Sequence, residues 1–387
     1  MRQYDFDTLI DRRGTNSIKC DFLAEEGMLQ LWIADMDFPV CDAIFEAGRR
    51  RLEHPLFGYS SIPDSLFEAL CAWQKRRHGV CFPPQQIIPY YSVVSAMNLI
   101  LMTLTKKKDV ITIMSPVYMR FPTSVYETGR SLCISPLVET DGKYTIDFEN
   151  LETCLKRSRV LLLCNPHNPV GRVYTEAELK RIYQLAVKHD ILVVSDEIHA
   201  DVLMPGHKHN PFITIDPDAA KRTITLVSAT KTFNLAQAGM AFIIAHEKSH
   251  FDALKHAMAS WHLGAQNVLA VQMVEAAYRE GDEWLDQVTA YVEGNYNVLK
   301  QAVAKTMPRI KLLPMEGTYL CWFDMRRIAI SVVDFFESRG RIRGEDGILF
   351  GAEGEGFYRL NLATPRANIE TVVKRMQAVY NELYPKK

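Results

Sequence analysis

Val160-Leu-Leu-Leu-Cys-Asn165-Pro-His-Asn168-Pro-Val-Gly171, Ile191-Leu-Val-Val-Ser-Asp196-Glu-Ile-His199 and Thr223-Ile-Thr-Leu-Val-Ser228-Ala-Thr-Lys231 decide the fold. Each begins as a short apolar run and is closed by polar or turn residues, the pattern of a buried strand. Val110-Ile-Thr-Ile-Met114, running into Ser115-Pro-Val-Tyr118, is a fourth. Between the first two lies Thr175-Glu-Ala-Glu178, a capping box in which each side chain satisfies a free N–H at a helix start. Leu179, Ile182, Tyr183, Leu185 and Ala186 follow at helical spacing. Strand, helix and strand at this separation imply a right-handed crossover, so the fold class is α/β with a mostly parallel central sheet.

In an open parallel sheet, ligands bind beyond the carboxyl ends of the strands. Three of these runs end there in residues capable of chemistry: Asn168, Asp196 with His199, and Lys231 with Ser228 and Thr230. Taken singly, each has an ordinary explanation as a cap, a turn or a solvated lysine. Together they form one chemical set. A partly desolvated lysine can lose its proton and form an imine with an aldehyde. A carboxylate at a neighbouring strand end can pair with a protonated pyridine nitrogen and keep the ring an electron sink. Hydroxyls and free N–H groups at a helix start suit a phosphate.

Bulk properties point the same way. The 387 residues carry 45 basic and 46 acidic side chains, a formal charge of −1. That leaves no positive field for nucleic acid or an anionic membrane, and small-molecule chemistry is expected. The first residues are charged throughout, and no apolar run is long enough to span a bilayer, so a soluble, cytoplasmic protein is expected. The eight cysteines form no C-x-x-C pair and read as reduced, mostly buried thiols. His207 and His209 form an H-x-H pair without an evident third ligand; they read as surface loop residues, and no metal is expected.

After the strand-rich middle, Ala277 to Met307 has the period of one long helix. Strand and helix patterns then mix at 319–323, 331–339, 357–362 and 368–383. The expected organisation is a large domain over 46–285 and a smaller α+β domain over 286–387. Residues 1–45 have no core of their own and are expected to pack with the small domain.

N-P-x-N-P-x-G, D-E-I-H and S-x-[ST]-K, in this order and spacing, resemble the fold-type I pyridoxal 5′-phosphate (PLP) enzymes, the aspartate aminotransferase superfamily. The resemblance covers nearly the whole chain. It implies PLP as cofactor, Lys231 as the Schiff-base lysine and proton carrier, Asp196 at the pyridine nitrogen and Asn168 at the ring 3′-oxygen. His199, three residues after Asp196, would support it from the same helical face. Tyr118 looks like the residue stacked on the ring. Ser92-Val93-Val94-Ser95 sits where the family places a phosphate-binding turn, with Ser228 and Thr230 opposite. Arg359 matches the arginine that grips the substrate α-carboxylate, and Ala34, Asn168 and Tyr59 are further substrate contacts by the same resemblance. Tyr59, in Phe57-Gly-Tyr-Ser60, matches a tyrosine that reaches the neighbouring subunit's phosphate, which implies a homodimer.

Finer strings narrow the reaction. Arg13-Gly-Thr-Asn-Ser17-Ile-Lys19, Trp32-Ile-Ala-Asp35-Met-Asp37-Phe38-Pro and Gly354-Glu-Gly356-Phe-Tyr-Arg359-Leu-Asn361 look like the MalY/PatB-type C–S lyases. Gly239-Met-Ala241 lacks the arginine that many superfamily aminotransferases carry after the lysine. The resemblance therefore implies α,β-elimination on cystathionine, cysteine or a related thioether. A broad-specificity aminotransferase is the alternative, and a regulator-binding protein that kept the cofactor fold is a third class.

Overall fold

A computed structural model of the chain describes residues 2–23, 25–264 and 266–385. A first short strand, β1 (Leu29–Gln30), belongs to the N-terminal segment. Eight strands then build one large sheet: β2 (Ile87–Tyr90), β3 (Val110–Ser115), β4 (Ser131–Thr140), β5 (Lys143–Ile146), β6 (Val160–Cys164), β7 (Leu192–Asp196), β8 (Thr223–Val227) and β9 (Ala241–Ala245). Their order is β2-β9-β8-β7-β6-β3-β4-β5. The central ladders from β4 through β3, β6 and β7 to β8 are all parallel, and β9 returns antiparallel.

Every residue of β6 is buried, because helices cover both faces of the sheet. Leu162 and Cys164 pack with Ala96, Ile100 and Leu254 of helices Val93–Leu104 and Lys248–Ser260. Leu161 and Leu163 turn the other way, onto Leu151, Leu179 and Ile182 of helices Phe148–Leu155 and Glu176–Lys188. Each fully buried leucine contributes about 1.5–3 kcal/mol of burial free energy. Thr175 and Glu178 form the capping box reciprocally: Glu178 N donates to Thr175 Oγ1 at 3.2 Å, and Thr175 N to Glu178 Oε2 at 2.8 Å.

The C-terminal part carries β10 (Lys311–Leu312), β11 (Leu320–Asp324), β12 (Ile342–Arg343), β13 (Glu345–Asp346) and β14 (Phe357–Asn361). Four of these form an antiparallel sheet ordered β10-β11-β14-β13. β12 instead pairs in parallel with β1, which ties the N-terminal segment to this region. Helix Arg366–Leu383 closes the chain against helix Asp282–Thr306.

Three expectations are corrected. The pattern from Ala277 is two helices, Val268–Glu280 and Asp282–Thr306, broken at Gly281. A Cβ there would lie 2.5 Å from the Ala277 carbonyl oxygen and run into the Phe233 ring, so the bend is where that ring sits. The eight cysteines are not all free: Cys71–Cys81 and Cys133–Cys154 are disulfide-bonded, with Cα atoms 4.9 and 5.9 Å apart. Cys20, Cys41, Cys164 and Cys321 remain thiols. His209 is buried rather than in a surface loop, because its Nε2 bonds the buried Glu197 carboxylate at 2.8 Å. His207 is exposed.

Candidate active site

β8, β7, β6 and β3 are consecutive neighbours, so their carboxyl ends bring Lys231, Asp196, Asn168 and Tyr118 to one place. These four line a single cavity of about 500 Å³, together with Ser92, Val93, Val94, His199, Thr230, Arg359 and Ala34. Arg359 enters from β14, and Ala34 from the N-terminal segment. Of the residues singled out in the sequence, Ser95, Ser228 and Tyr59 stand outside this lining.

Lys231 is the third residue of a short helix, Ala229–Thr232, capped by Ser228. Ser228 Oγ accepts from Thr230 N at 3.1 Å and donates to the Met240 carbonyl at 2.7 Å, so it braces the turn from behind. Lys231 Nζ donates to the Ala34 carbonyl at 2.5 Å. Burial, then the neighbouring Arg359 cation, lower the lysine to about 8. A substantial neutral fraction near pH 7–8 follows, which a nucleophilic or basic amine requires.

Asp196 ends β7 and is buried; its Oδ1 accepts from Ile198 N at 3.1 Å. Desolvation pushes its carboxyl up to about 7. Such a group favours a cationic partner. His199 is buried beside it and held neutral, down to about 3, by burial and by the Lys231 and Arg359 cations. Residues 198–201 form turns and not a helix, so His199 reaches the cavity from a turn, which corrects the helical placement. Its Nδ1 is buried without a partner among the described residues. This unsatisfied nitrogen marks a site shaped for a ligand.

Asn168 holds two contacts across the cavity. Its carbonyl accepts from Tyr118 N at 3.0 Å, and its Oδ1 accepts from Arg359 Nη1 at 2.7 Å, leaving Nδ2 as the donor for a ligand. At the opposite wall, Ser92 caps helix Val93–Leu104: its Oγ accepts from Ser95 N at 3.1 Å and pairs with Ser95 Oγ at 2.8 Å. The first-turn N–H groups of Val93 and Val94 have no intrahelical acceptor and face negative charge favourably. Tyr59 is fully exposed on its own chain.

The W-I-A-D-M-D-F string acquires a physical role. Asp35 and Asp37 pair with Arg12 at 2.6 and 3.0 Å, and Lys19, almost fully buried, reaches Asp37 at 2.7 Å. Asn361 Nδ2 donates to the Ile33 and Asp35 carbonyls at 2.9 and 2.5 Å. Tyr319 Oη donates to the Ala34 carbonyl at 3.0 Å. These bonds hold the Ala34 carbonyl in front of Lys231. Sequence reasoning missed Glu345, which lines the cavity and pairs with Arg359. Among the described residues, no His, Cys, Asp and Glu group could hold a metal, and no helix is long and apolar enough to cross a membrane.

Comparisons with known proteins agree with this architecture. The model of the aminotransferase class I and II family matches residues 26–376. Cystathionine beta-lyase PatB of Bacillus subtilis is 36% identical over 383 residues, covering 97% of this chain and 99% of that protein. Protein MalY of Escherichia coli is 29% identical, with 95% and 96% covered. Among solved structures, PLP-containing cystalysin of Treponema denticola superposes with a TM-score of 0.95 at 32% identity, covering 99% of this chain and all of that one. The PLP-bound C–S lyase of Staphylococcus hominis gives 0.92 at 30% identity, with 98% and 100% covered. The chain belongs to the class I and II aminotransferase family, and within it to the PatB/MalY-type cystathionine β-lyases.

Proposed function

We propose that this chain is a PLP-dependent C–S lyase that converts cystathionine, cysteine or a related thioether to pyruvate, ammonia and a thiol. The observation that carries it is the convergence of Lys231, Asp196, Asn168 and Arg359 on one cavity. The donor set fits the cofactor: Asp196 for the pyridine nitrogen, Asn168 Nδ2 for the 3′-oxygen, Tyr118 for the ring face, and Val93, Val94, Ser92 and Thr230 for the phosphate. His199, with its unpartnered Nδ1, completes the wall. Ser95 and Ser228 act one layer behind, by fixing Ser92 and Thr230. When bound, PLP supplies an electron sink for the pair left at Cα after deprotonation.

The protein's own side chains do the rest. Arg359 seats the substrate α-carboxylate, which turns Cα toward Lys231. Ala34, whose carbonyl accepts from the Lys231 amine, keeps that amine aimed into the cavity. The neutral Lys231 amine takes the Cα proton as general base. Tyr118, raised by burial, keeps its hydroxyl proton and donates it to the departing sulfur at Cβ. Asp196 holds the charge that keeps the pair delocalised.

Two subunits complete the site. Tyr59, fully exposed on its own chain, reaches the cofactor phosphate and substrate of the partner in a homodimer. The chain divides into a large domain over 46–285 and a small one over 286–387, with which residues 1–45 pack, and it works in the cytoplasm. Omission of an amino acceptor tests the reaction class. With a thioether amino acid alone, sustained pyruvate release supports elimination. Turnover that stops after one equivalent and resumes only with an added 2-oxo acid would make it an aminotransferase.

A further inference from the structure

Glu345 stands directly opposite Arg359 in the β13–β14 ladder. Directly opposed residues of an antiparallel pair hold their Cβ atoms about 5 Å apart, so the register itself sets this pairing. Gly344 permits the close approach: a Cβ there would lie 2.5 Å from the Arg359 carbonyl oxygen. Glu345 Oε2 accepts from Arg359 Nη2, with the two side chains only 13% and 3% exposed. Among the described residues Arg359 has two further acceptors, Asn168 Oδ1 at 2.7 Å and the Trp32 carbonyl at 3.2 Å, while its Nε is buried without a partner. The arginine that faces substrate thus already carries a carboxylate, and Glu345 lines the same cavity.

We propose that Glu345 is a specificity-determining residue that occupies the guanidinium seat taken by the substrate α-carboxylate. The inference rests on the reading of Arg359 as the carboxylate anchor. Binding then exchanges one carboxylate for another. Two carboxylates cannot share a desolvated guanidinium without repulsion, so Glu345 must withdraw or take a proton. Burial raises its carboxyl in spite of the lowering pull of the Arg359 and Lys231 cations, which is consistent with that choice. The cost falls on every ligand that brings a carboxylate and on none that lacks one. An amino acid offsets it through its amine at the cofactor end of the cavity. A simple carboxylic acid has no second anchor and is turned away.

The test is calorimetric titration of the PLP-loaded protein with L-alanine, which has no leaving group at Cβ, and with L-alaninamide. Glu345→Gln is predicted to tighten L-alanine by about tenfold, the weight of a charged hydrogen bond, and to leave L-alaninamide unchanged. Unchanged or weaker L-alanine binding overturns the proposal, because Glu345 would then orient Arg359 rather than compete for it. Glu345→Asp retains the charge but draws it back by one methylene, and partial tightening is expected. Wild-type affinity in that variant would reduce the effect to long-range charge and equally overturn the proposal. Equal binding of the two ligands by Glu345→Gln, where no carboxylate competes, would instead remove the Arg359 reading itself.

Discussion

Lys231 Nζ donates to the Ala34 carbonyl at 2.5 Å, joining the end of β8 to a segment 197 residues earlier in the chain. The lysine is half-buried at the cavity wall and needs an acceptor when it carries no cofactor. The Ala34 carbonyl supplies one without a negative charge that would hold the amine protonated. Desolvation and Arg359 then lower the amine to about 8, within reach of neutral pH. The N-terminal string is in this sense part of the lysine's environment.

Lys231→Ala is predicted to lower pyruvate formation by about 10²–10⁴-fold or more, the range of a lost general base. Far-ultraviolet circular dichroism should be unchanged. A small exogenous amine added to the variant should restore part of the rate. Rescue is the informative readout, since a merely structural lysine would not be replaced by a diffusing base.

Arg359→Lys keeps the charge and discards the planar fork. The expected result is a KM for the thioether raised by about 10–100-fold with a smaller fall in kcat, as for loss of uniform binding. Steady-state kinetics separates the two. A collapse of kcat at unchanged KM would place Arg359 elsewhere in the reaction.

Asp196 gives a pH signature in the cofactor-free protein. Burial raises its carboxyl from 3.8 to about 7, so the folded chain keeps a proton that the unfolded chain has released. Its contribution to stability is full below about pH 4 and is lost as pH rises through about 7. Wild-type protein freed of PLP should therefore lose melting temperature across that window relative to Asp196→Asn, which has nothing to ionise. Parallel pH profiles would contradict the assignment.

Much of this site is legible from local sequence. The apolar runs that end at Asn165, Asp196 and Ser228 announce both strands and ligand-bearing loops, because burial and polarity change at the strand end. What is hidden depends on distant partners. Glu345 owes its place to cross-strand register with Arg359, and nothing in its flanking residues marks it. His209 looks like a loop residue until Glu197 is seen beneath it. The cysteine pairs lie 10 and 21 residues apart, separations that carry no signal of their own. The break at Gly281 answers to Phe233, on a different element.

The Arg12, Lys19, Asp35 and Asp37 cluster should matter for stability ahead of chemistry. Lys19→Met removes one cation from a largely buried quartet and leaves Asp37 short of a partner. Breaking such a set typically costs about 3–5 kcal/mol. Urea denaturation of the PLP-loaded variant checks the loss, and a midpoint equal to wild type would show the cluster to be dispensable.

The most direct measurement of the central claim is product stoichiometry from L-cystathionine with no oxo acid present. Water and cystathionine should yield pyruvate, ammonia and homocysteine in equal amounts over many turnovers, and Lys231→Ala should yield them at least about 10²–10⁴-fold more slowly. Sustained consumption of cystathionine without pyruvate, or pyruvate formation undiminished in Lys231→Ala, would contradict elimination driven by this lysine.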